Sequence, residues 1–151
     1  MLDFALVNSK LMLEQGCKGF FIMAEGSQID WEGHDNDFKG LYVEIEEFEN
    51  AVTSALAFAM NRQDTLVIVT ADHETGGLLI EKDTLRYKET NQMKVSWNTA
   101  VGKGDHTGSM VPIFAYGPGS ENFTGILDNT DIFFAMQEAI GINDLPDGSC
   151  Y

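Results

Sequence analysis

A run rich in β-branched residues, Asp64-Thr65-Leu66-Val67-Ile68-Val69-Thr70-Ala71, constrains this chain more than any other stretch. It lacks the apolar–polar alternation of a half-exposed strand. A strand written that way suits a sheet interior covered on both faces, the setting of a central parallel strand. It ends in a sharp turn, Asp72-His73-Glu74-Thr75-Gly76-Gly77. An earlier apolar run, Gly19-Phe20-Phe21-Ile22-Met23, reads as a buried strand over 19–24 and leads into Glu25-Gly26-Ser27-Gln28-Ile29-Asp30-Trp31-Glu32-Gly33-His34. Strand, ligand loop, helix and strand in that order predict a βαβ unit with a right-handed crossover. The expected fold class is α/β, with a mostly parallel central sheet flanked by helices. Such sheets take their ligands where the chain leaves the carboxyl ends of the strands.

The helix between those strands is the clearest in the chain. Over 42–61, Ile45, Phe48, Val52, Ala55, Leu56 and Ala59 form one apolar stripe, while Glu44, Glu46, Glu47 and Glu49 make the first turns acidic. An earlier helix over 2–15 should end at Gly16. Beyond the second turn, Leu78-Leu79-Ile80 and Lys94-Val95-Ser96-Trp97 read as short strands joined by a polar segment, Glu81 to Gln92. This is a small insertion or hairpin near 81–98. A glycine-rich loop, 102–108, precedes a third short strand over 111–116. It is no Walker phosphate loop, because no Gly-Lys-Ser/Thr closes it. A last helix runs about 130–140, capped by Asn129 or Thr130 and ended by Gly141.

At 151 residues the chain suggests one domain with a moderate core. The formal net charge of −15 argues against nucleic acid or an anionic membrane as partner and suits bound cations. No apolar run reaches the length of a transmembrane span, and no signal peptide is visible. The two cysteines, Cys17 and Cys150, form no Cys-x-x-Cys, and spacing alone does not decide whether they pair.

The chain holds three histidines, His34, His73 and His106, each in a glycine-containing loop beside an expected strand. Each has a carboxylate close by: Asp30, Asp72 and Asp105. Asp30 and His34 are four apart, so one helical turn puts them on one face. Imidazole with carboxylate suits zinc, and the isolated Glu25 at a strand end suits a harder cation such as magnesium. The bland alternative, an acidic surface loop with a chance histidine, explains one such pair better than three. Asp72 and His73 are neighbours, so both can face one metal only where the strand has already turned. Glu74 reads as a supporting or solvent-facing carboxylate.

These motifs together, Glu25 to Asp30 with His34, Thr70 to Gly77, and His106-Thr107-Gly108, resemble the alkaline phosphatases. Pro112 to Gly119 and Asp128-Asn129-Thr130-Asp131 are similar to that family's closing strand and final helix. The resemblance covers nearly the whole chain. It implies a layered α/β fold, of which residues 1–151 would be the C-terminal part of a single domain. It implies that Glu25 is a magnesium ligand, that Asp30, His34 and His106 hold a first zinc, and that Asp72 and His73 hold part of a second. The implied activity is hydrolysis of phosphate monoesters through a phosphoserine intermediate, with two zinc ions on the attacking and leaving oxygens.

The family's serine nucleophile, the aspartate shared between its metals and its phosphate-clamping arginine have no counterpart here. The chain is therefore expected to lack covalent chemistry on its own, to keep the first zinc site best, and to leave the magnesium site empty. An uncovered sheet edge would favour a homo-oligomer. Trp31 stands where the family often has Lys or His; it is expected to line the substrate entrance, or else to pack against a loop. The family also implies a periplasmic or extracellular protein. Other metal-dependent phospho- or sulfo-transfer enzymes, and a non-catalytic metal-binding fragment, are the competing readings.

Overall fold

The computed structural model describes residues 2–17, 19–82, 93–100 and 105–141. The elements are helix α1 (Leu2–Glu14), helix α2 (Gln28–His34), helix α3 (Phe38–Met60), strands β1 (Val67–Thr70), β2 (Leu78–Lys82), β3 (Met93–Trp97) and β4 (Ile113–Tyr116), a 3-10 turn (Ser120–Phe123) and helix α4 (Asp131–Ile140). The chain divides into two compact units. The first comprises Met1–Glu25, Glu49–Thr70 and Pro112–Tyr151; the second comprises Gly26–Phe48 and Ala71–Val111.

In the first unit β1 pairs with β4, Val67 opposite Tyr116 and Thr70 opposite Ile113. The pairing is antiparallel, not the parallel arrangement the β-branched run predicts. Nor is the strand covered on both faces among the described residues: Val67, Ile68 and Val69 are half-buried and Thr70 is exposed. The turn after β4 needs Gly117, whose φ is +108°, because a Cβ there would collide with the Thr65 carbonyl. Residues 19–24 are not assigned to a strand, so no βαβ unit forms among the described residues. An apolar run becomes a strand only where its backbone pairs with a neighbour, and residues 19–24 belong to neither of the two sheets.

Packing in this unit is thin. Ala59 and Phe123 are its buried apolar residues among those described, and Phe20 meets Phe58 edge to face at 6.0 Å between ring centroids. Arg62 lies over the Phe58 ring and grips Asp64 with two bonds, Nε to Oδ1 at 2.8 Å and Nη2 to Oδ2 at 2.7 Å. Phe21, Met23, Phe114, Ile126, Phe133 and Phe134 are all exposed.

Thr130, one of the two expected caps, is the N-cap of helix α4, but its side chain makes no capping bond and Asp128 braces the turn instead. Oδ1 of Asp128 accepts the Thr130 N–H at 3.0 Å and the Thr130 hydroxyl at 2.8 Å. Oδ2 of Asp131 accepts the Asp128 N–H at 3.0 Å in return. This reciprocal pair resembles a capping box. It holds the Asp128 carboxyl below the ordinary aspartate range, chiefly through the bonds from Thr130. Gly141 ends the helix in the left-handed region, as the sequence predicts.

In the second unit β2 and β3 form an antiparallel pair, Leu78 opposite Trp97 and Lys82 opposite Met93. The middle of the expected insertion, 83–92, lies outside the described residues, as do Cys150 and residues 102–104 of the glycine-rich loop. Helix α3 starts four residues earlier than the acidic turns suggest. Asp37 caps it, its Oδ1 accepting the Lys39 N–H at 2.9 Å and its carbonyl accepting the Leu41 N–H at 2.9 Å. Leu41 is buried and Ile45, assigned to the apolar stripe, is exposed. Asn36, at φ +54°, turns the chain between α2 and α3 and donates Nδ2–H to the Thr99 carbonyl at 2.9 Å.

Candidate metal centre

The residues expected to hold a first zinc all belong to the second unit. Asp30 and His34 lie on α2, whose single turns stack their side chains on one face. His34 Nε2 stands 3.2 Å from Asp30 Oδ2. His106 comes from the segment after the glycine-rich loop, and its ring meets that of His34 at 4.9 Å between centroids. One donor atom from each of Asp30, His34 and His106 lies within 4.8 Å of the others. Among the described residues these three make the one such cluster of His, Cys, Asp and Glu.

The protonation chemistry of the rings suits a cation. Nδ1 of His106 stands 2.8 Å from the Glu74 carbonyl oxygen. A carbonyl only accepts, so the ring carries its proton on Nδ1 and leaves the Nε2 lone pair free. His34 is restricted differently: its Nδ1 is buried without a partner. With that nitrogen sealed off, Nε2 is the one this ring can present to a ligand. Two imidazoles and a carboxylate brought together in this way fit zinc's preferred donor set.

Thr75 stands at the centre of the cluster. Its hydroxyl donates to Asp30 Oδ1 at 2.5 Å and lies 3.3 Å from His73 Nδ1 and 3.2 Å from His106 Nδ1. Gly33 makes room for it: a Cβ there would come within 3.0 Å of the Thr75 methyl. Glu74 joins the two loops. Oε1 accepts the Gly77 N–H at 2.7 Å, and Oε2 accepts the Thr107 N–H at 3.0 Å and the Thr107 hydroxyl at 2.5 Å. Burial pushes the Glu74 carboxyl up, but the bonds from Thr107, Gly77 and Leu78 outweigh it and hold the group below the usual glutamate range. Sequence reasoning left Glu74 between two roles and gave Thr75 none. Their place in a turn with two glycines was the available signal.

His73 packs its ring 4.0 Å from that of His106 and has Asp72 Oδ2 3.4 Å from its Nε2. Asp72 is 89% exposed. Among the described residues these two are not part of a group of three donors within 4.8 Å of one another. Glu25 is exposed and belongs to the first unit. Trp31 lies on α2 and is 61% exposed, with no ring or cation partner among the described residues. The tight turn expected after β1 is present: Gly76 and Gly77 have φ of +82° and +62°. A Cβ on Gly76 would stand 2.7 Å from both the Gly33 carbonyl and the Trp97 ring.

A family model described as alkaline phosphatase matches residues 5–94 and 80–142. The chain belongs to the alkaline phosphatase family. It is 36% identical to alkaline phosphatase 4 of Bacillus subtilis over 179 residues, covering 79% of this chain and 39% of that protein. It is 37% identical to the Escherichia coli alkaline phosphatase over 140 residues, covering 87% of this chain and 30% of that protein. Among solved structures it is similar to a mutant alkaline phosphatase of the Antarctic bacterium TAB5 with Mg bound in the M3 site. The TM-score is 0.74 at 42% identity, covering 83% of this chain and 37% of that one. The chain thus spans between 30% and 39% of the length of these relatives. Its fold is mixed α/β, a partial version of theirs. Among the described residues no helix is long and apolar enough to cross a membrane.

Proposed function

We propose that this chain supplies most of the metal ligands of a zinc-dependent phosphomonoesterase. The observation that carries the reading is the meeting of Asp30, His34 and His106 in one compact unit, with donors within 4.8 Å of one another. Asp30 and both imidazole Nε2 atoms are assigned to a first zinc. Asp72 and His73 are assigned to a second, which needs a further ligand from outside this chain. Glu25 is assigned to magnesium, with too few partners here to hold it. When bound, zinc supplies Lewis acidity that stabilises the attacking and leaving oxygens of a phosphate monoester.

This chain's own residues do the holding. Thr75 fixes one oxygen of Asp30, and the Glu74 carbonyl fixes the free lone pair of His106 on Nε2. Trp31, exposed on the same short helix as Asp30, lines the substrate entrance. The reading assigns no nucleophile to this chain, so turnover belongs to the protein that also carries the serine. There the sheet would be mostly parallel and layered between helices, with residues 1–151 as the C-terminal part of one domain and the β2–β3 hairpin as a small insertion. The exposed Phe114, Phe133 and Phe134 support self-association into a homo-oligomer. By its family resemblance the protein is assigned to the periplasm or the outside of the cell.

Calorimetric zinc titration of the chain beside its His106→Ala variant tests the reading. One tight site, absent from the variant, is the expected result. Equal binding by both would remove His106 from the ligand set, and phosphatase turnover by the chain alone would overturn the assignment of the nucleophile elsewhere. Sedimentation showing a clean monomer at high concentration would refute the oligomer.

A further inference from the structure

We infer that Glu74 is a positioning residue, which sets His106 through a clamp between two loops; this rests on the zinc reading above. The Glu74 side chain reaches 33 positions along the chain to take both donors of Thr107, the residue next to His106. Its other oxygen takes the Gly77 N–H. The same residue's carbonyl takes the His106 ring proton. Side chain and main chain of one residue therefore fix both the position of the His106 segment and the orientation of its ring. A second main-chain bond, Gly76 N–H to the Asp105 carbonyl at 3.2 Å, runs between the same loops. Among the described residues no other charged side chain bonds across those two loops, so the carboxylate supplies the strongest part of the clamp. Without it the His106 segment would be held by main-chain bonds alone, and the ring would be less firmly oriented on the Glu74 carbonyl.

The test compares the chain with Glu74→Gln and Thr107→Val. Whichever way the glutamine amide turns, its NH₂ meets a backbone N–H. Two readouts are taken: zinc affinity by titration, and the ¹⁵N shifts of the His106 ring in metal-free protein. The expected result is zinc binding weakened about 10- to 100-fold in Glu74→Gln and less in Thr107→Val. With it, the His106 ring should move from the Nδ1–H form to a tautomer mixture while circular dichroism stays unchanged. Unchanged ring shifts and unchanged affinity overturn the inference and leave the zinc reading standing. If no variant and no parent binds zinc, the zinc reading fails and the ring shifts alone decide. If Glu74→Gln does not fold, Thr107→Val decides by the same two readouts.

Discussion

The hydroxyl of Thr75 donates to Oδ1 of Asp30 at 2.5 Å, across 45 positions of sequence. The other oxygen of that carboxylate faces His34. A carboxylate anchored at Oδ1 presents its other oxygen in one fixed direction. Thr75→Val keeps the branched shape against Gly33 and removes the donor. It should weaken zinc binding about tenfold, whereas Thr75→Ser should stay near the parent. Competition with a chromophoric chelator measures both, and equal loss in the two variants would point to packing instead of the hydroxyl.

The metal-centre residue types were legible in the sequence because ligand chemistry admits few side chains. Asp30 and His34 also announced their shared face through helical spacing. Thr75 was not legible, because a threonine in a turn is ordinary until the chain folds it under a carboxylate 45 positions away. The direction of β1 was misread for a related reason. The β-branched side chains of Val67 to Val69 favour a strand but fix neither its cover, which is partial, nor its direction, which is decided by β4 far along the chain. The strand expected at 19–24 shows the same gap: a single apolar run carries no information about whether a partner is present.

Gly76→Ala should destabilise the second unit by about 2 kcal/mol. The left-handed backbone alone costs an L-residue roughly 1–2 kcal/mol, and the added methyl meets the Gly33 carbonyl and the Trp97 ring. Urea unfolding followed by Trp fluorescence measures the change. Gly108→Ala, where nothing lies within 4 Å of the new methyl, is the comparison expected to stay close to the parent.

Asp128 makes stability depend on pH. Its carboxyl binds its proton less readily in the folded chain than in the unfolded one. The stabilisation is therefore complete above the ordinary aspartate value of about 3.8 and is lost as pH falls through the lower folded value. Asp128→Asn keeps an acceptor for Thr130 and discards the charge. Thermal unfolding should show the parent ahead of the variant near neutral pH and level with it in strong acid. A gap that does not change with pH would mean that charge plays no part in the cap.

Phe123→Ala should cost about 3 kcal/mol, as expected for truncating a buried aromatic. Phe123 is 4% exposed in a unit with few other buried apolar residues. Phe134→Ala, at 62% exposure, should change stability by less than about 0.5 kcal/mol. Comparable losses at both positions would mean that Phe134 is covered in solution.

The bonds that hold the candidate metal centre and its unit span long stretches of chain: 33 positions from Glu74 to Thr107, 45 from Thr75 to Asp30, and 63 from Asn36 to Thr99. Closing a loop of that size costs roughly 3 kcal/mol of chain entropy before any contact repays it. Contacts of this kind form late, after the local helices and the β2–β3 hairpin. A cation that needs the finished cluster meets it only on the native side of the folding barrier. It would act as a brake on unfolding, lengthening the lifetime of the folded unit while leaving the speed of folding almost untouched.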